Sequence, residues 1–340
     1  MSAMALPNLK SVADCADFSQ AVLPFLPQLY SLPTRAAEAG LDPDALREIY
    51  LTTNPLVTAF AFSLLLVPTV LLVSEINRNY SQVDRLWSIL PSIYNGHFAL
   101  WCRLNGMSTT EVNTIFVFTL IWSVRLTFNY WRKGGYSIGS EDYRWVVVRN
   151  IVKSPALFFL FNVFFISLTQ SVLLFLITAP TYIFVLIGTV PGAPGFGLPD
   201  LALSRSILFF VMIEYFADQQ QWKYQLAKKQ YQKTARVPPE YRDVFTSDDL
   251  DRGFVVSGLW SWCRHPNFVA EQAVWVTLYV WSAYRVESYF NWSGVGALCL
   301  VLLFQGSTYL TESITSSKYP DYKQYQARVG KFIPRFSVEP

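Results

Sequence analysis

The stretch from 155 to 190 is apolar without interruption, and this most restricts what the chain can become. A hydrocarbon core about 30 Å thick is crossed by roughly 20 helical residues, so the run is too long for one ordinary crossing. Pro180 is expected to end the helix. The remainder, through GTVPGAPGFGLPD, is expected to form an interfacial turn, a short re-entrant piece or an extra crossing that would invert everything before it.

Composition agrees with a life in lipid. Hydrophobic residues make up 52% of the chain and charged residues 15%, against about 25% charged in soluble domains. Apolar windows predict crossings at about 56–74, 86–104, 112–131, 156–178, 201–217, 267–285 and 292–311. The expected fold is therefore all-α, a polytopic integral membrane helix bundle of about seven transmembrane helices. Residues 1–55 form an N-terminal extension, surface-bound or partly disordered, 56–311 the bundle, and 312–340 an amphipathic tail.

Loop charge orients this scheme. The 132–154 loop, the 218–255 segment and the tail after 312 are rich in Lys and Arg, whereas 179–200 and 286–291 contain none. The positive-inside rule assigns the basic segments to the cytosol, with the C-terminus there and, given seven crossings, the N-terminus on the far side. No signal peptide is expected, because Pro24 and Pro27 break the apolar stretch at 21–32.

Several function classes drop out. A net charge of +3 with interleaved acidic residues gives no nucleic-acid arm. Cys15, Cys102, Cys263 and Cys299 form no CxxC pair, and His97 and His265 are too few for a His-rich metal site.

Polar residues gather instead at the expected cytosolic ends of the spans. In SVRLTFNYWRKGGY, Arg125, Asn129 and Arg132 fall on one helical face. Arg125 lies about 10 Å inside Arg132 along the axis, so it must snorkel, pair (Asp84 is one partner to consider) or bind an anion. In EYFADQQQWKYQ, Glu214, Asp218, Gln221 and Gln225 form a stripe. Its carboxylates suit ribose hydroxyls or an amine, or else the stripe simply faces water. In CRHPNFVAEQAVW, Pro266 suits the first helical position, which leaves Arg264 and His265 beside unpaired N–H groups that attract phosphate. Asn267, Glu271 and Trp275 follow at spacings of four. The plainer alternative is an intramembrane pair of Glu271 with Arg264 or Arg125. In the tail, Lys318, Tyr322 and Tyr325 share a face that either caps a pocket or anchors at the headgroups.

GLWSWCRHPNFVAEQAVW (258–275), EYFADQQ (214–220) and YPDYKQYQARVGKFIP (319–334) together resemble the DUF1295 family, within the steroid 5-alpha-reductase-like group of membrane proteins. VDRLWSILP (83–91) and RLTFNYWRKGGYSIGSEDYRW (125–145) extend the likeness. That wider superfamily also includes isoprenylcysteine carboxyl methyltransferases. The resemblance implies a helix bundle with a cofactor pocket open to the cytosol and a lipidic substrate arriving from the bilayer. It places cofactor contacts on Asp218, Arg264, His265, Asn267, Glu271 and Tyr322, with Phe268 standing where the group usually has tyrosine.

Three readings remain. One is an NADPH-dependent reductase of a lipidic carbon–carbon double bond, in which the cofactor delivers hydride and a weak acid assists. The second is an S-adenosylmethionine-dependent methyltransferase that aligns a nucleophile with the sulfonium. The third is a non-catalytic membrane scaffold. The steroid reductases' glutamate–tyrosine pair has no clear counterpart here, and Glu75, Tyr94 and Tyr130 are only positional candidates for the acid. By class, an endoplasmic reticulum membrane is expected if the host is eukaryotic.

Overall fold

The computed structural model describes residues 5–107 and 109–335. Residues 1–4 of the N-terminal extension and 336–340 of the tail lie outside the described residues. Within the described residues there is no β-sheet, only an isolated parallel bridge between Cys263 and Gly330. The all-α expectation holds.

About seven crossings do not. Among the described residues four helices are long and apolar enough to span a membrane: α1 (Pro55–Asn77), α4 (Thr110–Arg132), α6 (Pro155–Ile187) and the helix within Trp292–Lys318. The crossing expected at 86–104 is instead two pieces, α2 (Gln82–Trp87) and α3 (Leu90–Leu104). At 1.5 Å per residue, α3 is about 22 Å long, less than the hydrocarbon thickness. The crossing expected at 201–217 lies inside α7 (Leu198–Thr234), where Asp200, Arg205, Glu214 and Asp218 interrupt the apolar window. The one expected at 267–285 is α9 (Pro266–Arg285), diluted by Asn267, Glu271 and Gln272. Between α4 and α6 lies α5 (Tyr143–Val152), α8 (Ser247–Arg252) precedes α9, and α10 (Val295–Lys318) and α11 (Tyr322–Arg328) complete the chain. The segment Ala179–Ile187 is no additional span; it is buried at every position and closes the α6 run.

The chain forms two units. The first comprises Met1–Ile207 with Trp275–Leu300. Its core is aromatic: Trp101, Trp122, Trp281, Tyr94, Phe98 and Tyr182 are fully buried. Helix α1 starts at Asn54, whose Oδ1 accepts from the N–H groups of Leu56 (2.9 Å) and Val57 (3.4 Å) ahead of Pro55. The Asn54 amide also donates to Tyr182 Oη (2.6 Å) and Ala5 O (3.0 Å), so one cap fastens α1 both to the N-terminal segment and to α6. At Asn162–Thr169, α6 loosens into π-helix. Residues five apart then stack, and Ser167 Oγ donates to Asn162 Oδ1 (3.3 Å) while Thr169 Oγ1 donates to Phe164 O (2.7 Å).

Buried charge in this unit is paired. Arg285 Nη1 lies 2.9 Å from both Glu111 Oε1 and Asp200 Oδ1, and Trp281 Nε1 donates to the same Asp200 oxygen at 2.7 Å. The 136–145 segment is held by α2: Trp145 Nε1 donates to Asp84 (2.8 Å), and Arg85 donates to Ser140 O (2.6 Å). Burial raises the Asp84 carboxyl above its usual range, opposed by the charge of Arg144 and the Trp145 hydrogen bond.

The second unit comprises Leu208–Val274 with Val301–Pro340. Tyr224, Ala227, Phe245, Leu250, Val255 and Trp260 form one core, and Phe254 with Tyr322 and Tyr325 a second. Between them runs the 253–265 segment. It turns at Gly258 (φ +64°), where a Cβ would collide with the Gln220 side chain that accepts the Leu259 N–H at 2.9 Å.

Within the first unit, a Cβ on Gly296 would lie 2.2 Å from the Leu176 carbonyl. Gly296→Ala is therefore expected to lower stability by about 1–3 kcal/mol, the usual range for overpacking. A reduced thermal midpoint of the detergent-solubilised protein checks this; an unchanged midpoint would show that the contact is loose.

Candidate functional site

Pro266 opens α9, and the first helical bond runs from Val269 N–H to His265 O (3.0 Å), so Arg264 and His265 sit just ahead of the helix. Both are buried. Glu312, on α10, occupies the place expected for a phosphate. Arg264 donates from Nε to Glu312 Oε1 (2.6 Å) and from Nη2 to Oε2 (3.1 Å), a bidentate pair. Arg264 Nη1 reaches the carbonyls of Val329 and Gln326. His265 Nε2 lies 2.9 Å from Glu312 Oε1, Gln326 Nε2 donates to Oε2 (3.0 Å), and Tyr322 Oη approaches Oε1 (3.4 Å). The pair of Arg264 is thus with Glu312, not with Glu271.

This junction ties four segments together. Arg264 N–H also donates to Gly330 O (2.9 Å), and Tyr325 Oη donates to Trp260 O. Tyr322 and Tyr325 are buried, not spread at a surface. Burial raises both phenols, and for Tyr322 the Glu312 charge raises it further, so both remain hydrogen-bond donors.

A second polar contact joins α7 to α9. Asn267 Nδ2 lies 3.4 Å from Asp218 Oδ1, while Asn267 Oδ1 accepts the Phe268 N–H (3.1 Å). Glu214 is one turn before Asp218 and Glu271 one turn after Asn267, and all three carboxylates are buried. Gln221 follows Asp218 along the stripe, and its Oε1 is buried without a hydrogen-bond partner; Gln225, beyond it, is exposed. Phe268 stacks on His265 (centroids 5.3 Å apart, planes at 22°) and meets Phe304 edge-on, so the aromatic role of this position is filled without a hydroxyl.

The remaining candidates belong to the first unit. Asn129 is buried and its Oδ1 accepts from Arg132 Nη2 (2.8 Å) and Nε (3.0 Å), and Arg132 lies over the Phe128 ring. Arg125 is half-buried on the same helix. The three positional acid candidates do not meet. Glu75 accepts from Asn162 Nδ2 (2.9 Å) and pairs with Arg78 (2.8 Å). Tyr94 packs against Phe62 and Phe175 with its hydroxyl buried and without a hydrogen-bond partner, and Tyr130 meets Tyr136 edge-on. Among the described residues, no three His, Cys, Asp or Glu side chains gather as a metal-ligand set.

Sequence reasoning missed Glu312, Gln326 and the Arg285 triad. The signal for Glu312 was present: it is the one acid in an otherwise uncharged stretch of α10, and an ionisable group so placed requires a partner. The expected span stopped one residue short of it.

An all-helical chain with four membrane-length helices and charge buried in paired junctions is a membrane-associated protein. It belongs to the DUF1295 family, described as a protein of unknown function, which matches residues 70–329. An uncharacterized protein of Schizosaccharomyces pombe is 40% identical over 333 residues, covering 98% of this chain and 94% of that protein. No solved structure matches.

Removing one partner of a buried ion pair strands the other. Glu312→Gln is expected to cost about 3–5 kcal/mol in denaturant unfolding, and Arg264→Leu combined with Glu312→Leu much less than the two single changes summed. Additive losses would mean that the pair is not coupled.

Proposed function

We propose that the second unit binds a nucleotide cofactor at the Asp218–Asn267 contact, and that the protein is an NADPH-dependent reductase of a carbon–carbon double bond in a lipidic substrate. One observation carries the reading: a buried, unpartnered acceptor, Gln221 Oε1, stands beside Asp218 where it holds Asn267. An acceptor left dry costs about 1–3 kcal/mol, which a ligand donor such as a ribose hydroxyl or a carboxamide would recover. Glu214 and Glu271 add acceptors to the same helices. The arginine–histidine–proline–asparagine run of α9 resembles that of the steroid 5-alpha-reductase-like superfamily.

In this reading, NADPH when bound supplies the hydride. Asp218 and Gln221 accept from its hydroxyls or amide, Asn267 keeps the Asp218 carboxylate oriented, and Phe268 offers a flat apolar wall. The Arg264–Glu312 junction favours a second reading, S-adenosylmethionine-dependent methyl transfer, because it removes one arginine from phosphate duty and leaves acceptors for an amine.

We place the protein in the endoplasmic reticulum membrane with its C-terminus in the cytosol. The basic 218–255 segment and the basic tail after 312 meet, with Lys228 Nζ 2.9 Å from Tyr319 Oη, and their shared positive charge supports that assignment.

Purified protein is expected to gain thermal stability with NADPH and not with S-adenosylmethionine, and Asn267→Ala or Gln221→Leu to weaken binding about tenfold. Stabilisation by S-adenosylmethionine alone would establish the methyltransferase reading, and silence to both would leave a non-catalytic scaffold.

A further inference from the structure

On the first unit, an apolar groove of about 470 Å³ runs along the last turns of α4, lined by Ser123, Val124, Thr127, Phe128, Trp131 and Tyr136. Val124 and Trp131 are more than half exposed. The helix is one of the four of membrane length, and Thr127 lies five residues, about 7.5 Å, inside Arg132. Trp131 and Tyr136 mark the headgroup level at which such rings settle.

Hydroxyl groups give the groove a polarity. Tyr136 Oη donates to Arg85 O (3.1 Å), and a carbonyl can only accept. The Tyr136 hydrogen being committed there, the 3.0 Å contact between Ser88 Oγ and Tyr136 Oη must use the Ser88 hydrogen. Ser88 in turn accepts from Thr127 Oγ1 at 2.8 Å. The chain therefore runs one way, from Thr127 through Ser88 and Tyr136 to the Arg85 carbonyl. Its head, Thr127 Oγ1, has spent its hydrogen and offers only lone pairs to the groove. One turn away, Ser123 makes no hydrogen bond among the described residues, so its hydroxyl is available as a donor.

We propose that this groove binds a lipid alcohol, whose hydroxyl donates to Thr127 and accepts from Ser123 while its hydrocarbon lies along Val124, Phe128 and Trp131. A ketone, ester or ether oxygen satisfies Ser123 and leaves Thr127 unmatched, so the hydrogen-bond polarity selects the free alcohol. The placement on a membrane-length helix, at the level where amphiphilic alcohols hold their hydroxyl, supplies the occupant from the bilayer. The proposal rests on the lipidic-substrate reading above and narrows its substrate class to hydroxyl-bearing lipids.

The test uses the full chain in detergent with diazirine derivatives of cholesterol and of hexadecanol. At least one is expected to crosslink within residues 123–136. The unlabelled alcohol is expected to compete at about tenfold lower concentration than its methyl ether, and Thr127→Val and Ser123→Ala each to cut labelling about tenfold. Circular dichroism checks each variant, and Ser123→Ala carries the test if Thr127→Val misfolds. Equal competition by ether and alcohol, normal labelling of the folded variants, or no specific crosslink would overturn the proposal. NADPH-dependent stabilisation is measured on the same preparation: loss of that signal with selective labelling intact rejects the reductase and keeps the groove, and the converse rejects the groove alone.

Discussion

Glu312 is a carboxylate in a helix that is otherwise suited to lipid, and its position fixes the arrangement of the second unit. Taking an unpaired carboxylate out of water costs several kcal/mol even after relaxation. Here the cost is met by five donors from two segments: two from the Arg264 fork, with His265, and Gln326 and Tyr322 of α11. Each donor is held by something else. Arg264 is fastened to the 326–330 carbonyls, His265 is stacked on Phe268, and Tyr322 packs against Phe254. The start of α9 is thereby set by a chain segment about fifty residues later, and with it the position of Asn267.

The same rule governs the first unit by different means. Arg285 collects Glu111 and Asp200, which brings the ends of three helices together, and Asp84 collects Trp145. In an aqueous protein such groups would have water to fall back on. In a chain this apolar, pairing is what allows them to be buried at all, so polar residues specify which helices meet while the aromatic core fills the space.

What was legible in the sequence follows from this division. The four apolar helices contain the expected spans at 56–74, 112–131, 156–178 and 292–311, because a long apolar run with few charges is legible without knowledge of its partners. The three failed spans share a feature: charges or amides recur within the apolar window or at its edge, as at Asp200, Arg205 and Glu214 in α7. The π-helical turn is not legible in the local sequence, and Asn162 at its start donates to Glu75, 87 residues away. The α9 motif was read correctly as a helix start with Asn267 and Glu271 on one face. The partner of Arg264 was not, because a local pattern names a charge that needs an answer without naming the segment that gives it.

The consequence for chemistry lies in the balance of donors and acceptors. The sequence presents Arg264, His265, Asn267 and Glu271 as one mixed cluster, which would suit almost any polar ligand. Folding sorts them. Arg264 and His265 turn toward Glu312 and are engaged there, while Asn267 meets Asp218 of α7. A dry acceptor such as Gln221 Oε1 favours ligands that bring N–H and O–H groups. Binding such a ligand would relieve a cost already present in the empty fold, which is how a small number of polar contacts in an apolar protein can carry a large share of an affinity.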